Sequence, residues 1–218
     1  MKNQLVIFDL DGTVLDTLDD LAASVNAALS AHSLPTLPTD VICGYIGNGI
    51  RLLIERSVPA GTPKELTDEV FAFFKTHYKV HCADKTRPYD GIPELLAALR
   101  DAGCRTAVVS NKADFAVKDL CERYFPGLFD AAVGENEAAG VRKKPAPDSV
   151  NAILADLAVE RSAAVYVGDS DVDIETAKNA GLPCLSVTWG FRSREFLLKH
   201  GASVLLDTPE QLKAALLS

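Results

Sequence analysis

The sequence predicts a doubly wound α/β fold, a parallel sheet with helices on both faces, carrying an all-helical insertion close to its start. Three observations predict it. Short apolar runs each stop at a polar residue, helical patterns lie between those runs, and residues from about 16 to 83 read as helix after helix with no convincing strand.

The runs come in order: Leu5 to Phe8 before Asp9, Ala107 to Val109 before Ser110, Ala163 to Val167 before Gly168 and Asp169, and Pro183 to Val187. Near-continuous apolar runs of this length suit strands buried on both faces. Between them, Ile92 to Arg100, Asp114 to Arg123, Asp148 to Leu157 and Asp173 to Ala180 carry helix start and stop signals, including Pro93 early in the first and Gly181 beyond the last. In the insertion, Leu18, Leu21, Ala22, Val25, Ala28 and Leu29 recur at helical spacing. Thr62-Pro63-Lys64-Glu65 has the chemistry of a capped helix start ahead of Leu66, Val70, Phe71 and Phe74. The expected division is a core of residues 1–15 and 84–218 and a helical cap of residues 16–83, joined by linkers at Val14 to Thr17 and Ala83 to Gly91.

Composition narrows the function. The 218 residues are 48% hydrophobic, enough for a large core. Thirty acidic against 22 basic residues give a charge of −8, which disfavours broad binding to nucleic acid or anionic lipid. The first apolar run is cut by Asp9 before it could serve a signal peptide, and no later stretch has the length of a membrane span. Five cysteines without a C-x-x-C pair fit a reducing compartment, so a cytoplasmic protein is expected, as a monomer or homodimer.

In an open α/β sheet ligands bind beyond the carboxyl ends of the strands, so the residues ending the apolar runs should meet. Asp9 and Asp11 lie two apart, followed by Gly12 for a tight turn and by the Thr13 hydroxyl. Two carboxylates this close repel unless a cation intervenes, and Mg²⁺ suits a few oxygen ligands plus water and phosphate. Asp169 is the natural third ligand, and Asp173 either ligates or orients a water. Ser110 and the Asn111 amide can hydrogen-bond a phosphoryl oxygen, and Lys144, ahead of Pro145, Ala146 and Pro147, supplies a fixed positive charge.

These segments resemble the four motifs of the haloacid dehalogenase superfamily: DLDGT at Asp9 to Thr13, VVSNK at Val108 to Lys112, KPAP at Lys144 to Pro147 and GDSDVD at Gly168 to Asp173. The resemblance implies that Asp9 is a nucleophile forming an aspartyl-phosphate, and that Asp11 protonates the leaving alcohol and then activates water. It also implies that Asp9, the Asp11 backbone carbonyl and Asp169 bind Mg²⁺ with support from Asp173, while Ser110 and Lys144 hold the phosphoryl group. The phrases IGNGIRLLIERSV and TWGFRSREFLLKHGA look most like the phosphoglycolate phosphatase branch. The implied partner is a small phosphorylated metabolite. A phosphomutase of the β-phosphoglucomutase type, a nucleotidase and a pyrophosphatase are the alternatives.

The Gly47-Asn48-Gly49 turn and Arg51 are expected to face the substrate, with Arg51 pairing a substrate carboxylate. Lys112 reads as a surface or cap-facing charge, and Asp171 as a solvated or capping residue. Asp16 either supports the site or begins a helix. His77 and His81, four apart, have a zinc-like spacing but no third ligand nearby.

Overall fold

The computed structural model describes residues 3–136 and 140–218. Its main sheet joins six parallel strands in the order β5-β4-β1-β6-β7-β8. These are β1 (Leu5–Phe8), β4 (Arg105–Ala113), β5 (Ala131–Glu135), β6 (Ala164–Gly168), β7 (Cys184–Val187) and β8 (Leu205–Leu206). The first strand lies inside the sheet, pairing Phe8 with Val108 on one side and with Val167 on the other. Strand order reverses around it, which opens a crevice beyond its carboxyl end.

Both faces are covered. Val6 and Phe8 pack with Leu95 and Leu99 of α5 (Ile92–Asp101), Val117 and Leu120 of α6 (Asp114–Tyr124) and Leu212 of α10 (Pro209–Leu217). Leu5 and Ile7 pack on the opposite face with Val150 and Ile153 of α7 (Asp148–Asp156) and Ala177 of α8 (Asp171–Ala180). All four side chains of β1 are fully buried, each stabilising the core by about 1.5–3 kcal/mol. The edge strand β5 went unanticipated because Ala131-Ala132-Val133-Gly134 is half-exposed and only weakly apolar. A helix α9 (Arg194–Lys199) follows β7.

Helices α1 (Leu18–Ala31), α2 (Thr39–Tyr45), α3 (Ile50–Ser57) and α4 (Lys64–His81) build a separate hydrophobic cluster around Val25, Leu29, Ile42, Ile54, Val70 and Phe74. The strongest packing there is α1 against α4. The expected capping at Thr62 is corrected: α4 starts at Lys64 after Pro63, and the Thr62 hydroxyl donates instead to Pro59 O at 2.7 Å. Proline at that place fixes the entry backbone without a side-chain cap.

The two linkers meet as a short antiparallel ribbon, β2 (Leu15–Asp16) with β3 (Arg87–Pro88). Asp20, 3% exposed, accepts from the backbone N–H groups of Lys85 (3.0 Å) and Thr86 (2.8 Å), so α1 holds the returning chain. Asp16 lies 3.6 Å from Arg87 and accepts from Leu18 N, which places it in this ribbon and not behind Asp9. Among the described residues no helix is long and apolar enough to cross a membrane, and the five cysteines are free.

Candidate active site

Beyond Phe8 the chain leaves the sheet in a tight coil. Leu10 O accepts from the N–H groups of Thr13, Val14 and Leu15, and Gly12 takes φ +82°. A Cβ on Gly12 would lie 2.4 Å from Asp169 Oδ2, so the coil presses directly on that carboxylate. Gly190, in the loop after β7, closes the other side: a Cβ there would sit 2.3 Å from Gly12 O and 2.4 Å from Asp169 Cβ.

Three buried carboxylates, Asp9, Asp169 and Asp173, bring oxygens within 4.8 Å of one another. Asp9 Oδ1 accepts from Leu10 N at 2.7 Å and meets Lys144 Nζ at 2.9 Å. Asp169 accepts from Thr13 Oγ1 (3.3 Å) and from Phe191 N (2.7 Å). Asp173 forms a capping box with Ser170 at the start of α8, its Oδ2 accepting from Ser170 Oγ at 2.6 Å. Its Oδ1 meets Lys144 Nζ at 2.8 Å and the Tyr166 hydroxyl at 3.3 Å. The Lys144 ammonium thus bridges Asp9 and Asp173, and it also donates to Tyr166 OH at 3.1 Å.

Burial sets the electrostatics. It raises the Asp9 carboxyl from 3.8 to about 7, helped by the Asp173 charge and opposed by Lys144. Burial, together with the charges of Asp173 and Asp9, raises Asp169 well above the carboxylate range. Lys144 is held well above its ordinary value: burial opposes its charge, but Asp173 and Asp9 outweigh that.

Asp11 goes elsewhere. Its carboxylate accepts two bonds from Lys112 Nζ, at 2.9 and 3.0 Å, and one from Thr17 Oγ1 at 2.8 Å. Asp11 thus pairs with its own lysine while Asp9 pairs with Lys144, and the Asp11 side chain stands outside the carboxylate trio. Lys112 is 3% exposed and lies 4.8 Å from the Tyr78 ring of α4, so its surface reading is corrected while its cap-facing one describes it. Three further expectations change. Thr13 is fully buried with its hydroxyl committed to Asp169, so it does not offer that hydroxyl to a substrate. The Asn111 carboxamide is spent on Lys144 N (2.8 Å), Lys144 O (3.0 Å) and Gly47 O (3.0 Å), so the side chain fixes the lysine loop and the backbone N–H is the group left to the expected phosphoryl contact. Arg51 points away, bound to Glu55 at 2.6 Å and Asp68 at 2.5 Å, because its face of α3 turns toward α4.

A cavity of about 40 Å³ lies above the carboxylates, room for about three waters. Asp9, Asp11, Ser110, Lys112 and Asp169 form its floor, and Leu21, Ile46, Gly47, Gly49, Ile50 and Leu53 its roof, with Phe191 and Arg192 at the side. Of the expected Gly47-Asn48-Gly49 turn, the two glycines face the cavity and Asn48 lines a separate groove. Sequence reasoning named Lys112 only as a surface or cap-facing charge, not as the partner of Asp11, and it gave no role to Tyr166 or Arg192. A tyrosine within the aliphatic run Ala164-Val165-Tyr166-Val167 was the available signal for Tyr166, and an arginine in a loop gave none.

Comparison with known proteins places this geometry. Residues 6–187 match the family model of haloacid dehalogenase-like hydrolases. The chain is 31% identical to N-acetylmuramic acid 6-phosphate phosphatase of Pseudomonas aeruginosa, over 97% of this chain and 94% of that one. It is 34% identical to phosphoglycolate phosphatase of Aquifex aeolicus, over 86% of each. A crystal structure of a Lactobacillus delbrueckii subsp. bulgaricus protein, 38% identical, superposes with a TM-score of 0.93 over 99% of both chains. With strand-end aspartates, sheet order and sequence agreeing along nearly its whole length, the chain belongs to the haloacid dehalogenase-like hydrolases and is a phosphoric monoester hydrolase similar to phosphoglycolate phosphatases.

Proposed function

We propose that the protein hydrolyses a short phosphomonoester through an aspartyl-phosphate on Asp9, with Mg²⁺ as cofactor and 2-phosphoglycolate as the first substrate to test. The observation that carries this reading is the placement of Asp9. Both bonds that the described residues make to its carboxylate fall on Oδ1, leaving Oδ2 for attack at the cavity floor. Asp11 borders the same cavity from the other side.

Asp9 attacks phosphorus and the ester P–O bond breaks, with Asp11 giving its proton to the departing oxygen. Asp11 then takes a proton from a water as that water attacks phosphorus, and the Asp9–phosphate bond breaks. Ser110 Oγ, at the cavity, and Lys144 Nζ, beside Asp9 Oδ1, stabilise the charge that builds on the phosphoryl oxygens. Lys112 and Thr17 position Asp11 for both proton transfers.

The donor set fits a hard divalent cation: Asp9, Asp169 and Asp173 share the single Lys144 ammonium, and burial with mutual repulsion drives Asp9 and Asp169 toward their protonated forms, a penalty that a cation among them would relieve. Asp9, Asp169 and the Asp11 backbone carbonyl would hold Mg²⁺, which supplies charge neutralisation at the phosphoryl group. Both oxygens of Asp173 are already engaged, so its role is to hold Lys144 and the start of α8.

Residues 16–83 act as a cap, hinged on the β2–β3 ribbon, that excludes water during attack and opens for release. Phosphoglycolate and N-acetylmuramic acid 6-phosphate, for which the two relatives above are named, are both phosphomonoesters that also carry a carboxylate.

The test is phosphate release from a panel of phosphoglycolate, nucleoside monophosphates, pyrophosphate and sugar phosphates, with Mg²⁺ and with chelator. Phosphoglycolate should lead and Asp9→Asn should lower kcat by at least about 10³-fold. Full Mg²⁺-dependent activity in Asp9→Asn, or isomerisation of a sugar phosphate in place of phosphate release, would overturn the reading.

A further inference from the structure

The cavity's side wall holds a cation that feels the Asp169 charge but, among the described residues, makes no hydrogen bond or ion pair with any carboxylate. Among the described residues two cations line the cavity, and Lys112 is paired with Asp11. Arg192, partly buried, is bound only to neutral oxygens: Nη1 donates to Cys43 O at 3.0 Å and Nη2 to Ile46 O at 2.6 Å. Its guanidinium also lies 5.6 Å from the Phe196 ring. Among the described residues no carboxylate pairs with it. A partly desolvated guanidinium that faces a ligand space without a carboxylate partner is poised for one, because charge-assisted pairing is stronger than donation to a peptide oxygen.

Its place in the chain adds to this. Arg192 comes from the core, in the loop whose Phe191 N–H binds Asp169, and it reaches across to the backbone leaving α2. It also borders a second groove, lined by Arg56, Asn48, Ser193 and Asp171, and makes no ion pair with that aspartate. It therefore stands between that groove and the reacting centre, beside the apolar roof of Ile46, Ile50 and Leu53. That roof offers no charged side chain to the part of the substrate that is not transferred.

We propose that Arg192 determines substrate specificity by pairing with a carboxylate on the leaving group, exchanging its bonds to Cys43 O and Ile46 O for that anion when substrate enters. This rests on the phosphatase reading above and deepens it by naming the substrate class: short phosphomonoesters bearing a carboxylate.

The experiment uses three esters of similar size on the full chain: 2-phosphoglycolate (anionic tail), ethyl phosphate (neutral tail) and O-phosphoethanolamine (cationic tail). The expected result for Arg192→Gln is a fall in kcat/KM for phosphoglycolate about 10- to 100-fold greater than the fall for ethyl phosphate. Arg192→Lys should recover part of that preference, and Arg192→Glu should move it toward O-phosphoethanolamine. A phosphoglycolate to ethyl phosphate ratio that stays within about twofold of wild type in Arg192→Gln and Arg192→Lys would overturn the proposal and leave Arg192 as a structural tie. Asp9→Asn, run alongside, separates the two claims. If it abolishes turnover of all three esters while the Arg192 ratio does not move, the phosphatase reading stands and the specificity inference falls. If Asp9→Asn keeps turnover while the Arg192 ratio moves as expected, the Asp9 mechanism falls and the specificity inference stands.

Discussion

The floor and the roof of the cavity are built on opposite principles. The floor is built on charged side chains at strand ends, each gripped by several partners, Asp169 by Thr13 and Phe191 and Asp9 by Leu10 and by Lys144, which reaches beneath the floor from the loop before α7 and also holds Asp173 and Tyr166. The roof is apolar side chains and two glycines on helices that share a core of their own. Charge that must be oriented to within a fraction of an ångström is placed on the sheet, where the backbone cannot shift without breaking strand pairing. Shape that must admit and release a ligand is placed on an element joined through a two-residue ribbon.

That contrast can be broken from either side. The largest effect should come from Lys144→Met, which keeps the volume and removes the charge between Asp9 and Asp173. It should cost about 3–5 kcal/mol in denaturant unfolding and almost all phosphatase activity. If stability is unchanged, the floor is not an ionic network.

Next is the carboxylate trio itself. The Asp9 carboxyl stands at about 7 folded against its ordinary 3.8, so the folded state holds the extra proton between those values. Its contribution to stability is therefore fully present below about pH 4 and lost as pH rises through about 7. In chelator, Tm should fall from pH 5 to pH 8, whereas Mg²⁺ should raise Tm most at pH 8. Asp169→Asn should raise the chelated Tm at pH 8 and abolish the Mg²⁺ response. A full Mg²⁺ shift in that variant would remove Asp169 from the metal site.

A roof substitution should act differently in kind. Ile50→Ala widens the cavity without touching the floor, so KM for phosphoglycolate should rise several-fold with a smaller change in kcat, and bulkier esters should gain relative rate. An equal loss in kcat would mean that the roof positions the reacting atoms as well. The smallest effect belongs to Arg51→Ala. Its pairs with Glu55 and Asp68 are about one-third exposed on the arginine side, so stability should drop by less than about 1 kcal/mol and kcat/KM should not change measurably.

The same contrast explains what could be read in the sequence. Leu5–Phe8, Ala164–Val167 and Cys184–Val187 were legible because a strand buried on both faces must be almost wholly apolar. Helix α5 was legible because Pro93 and Gly103 bracket an amphipathic repeat. Edge strand β5 and the ribbon strands were not, since a half-exposed or two-residue strand imposes no such pattern. Asp9, Asp169 and Lys144 were legible because each sits at or near the end of a strand or in a recurring motif, and sheet topology brings strand ends together.

The sequence by itself determined the sheet, the helical insertion and the identity of the charged groups, because burial periodicity and motif spacing are properties of the chain read in one dimension. Only the tertiary structure decided how those groups divide the work. It sent Asp11 to Lys112 rather than to the carboxylate trio, spent Thr13 and Asn111 on holding other residues, and turned Arg51 away. It also brought Arg192 to the cavity from more than a hundred residues beyond the cap it touches. Which partner a side chain takes depends on the direction its Cα–Cβ bond points once helices and loops have packed, and on which buried charge most needs an opposite one. Neither quantity exists until the chain has folded.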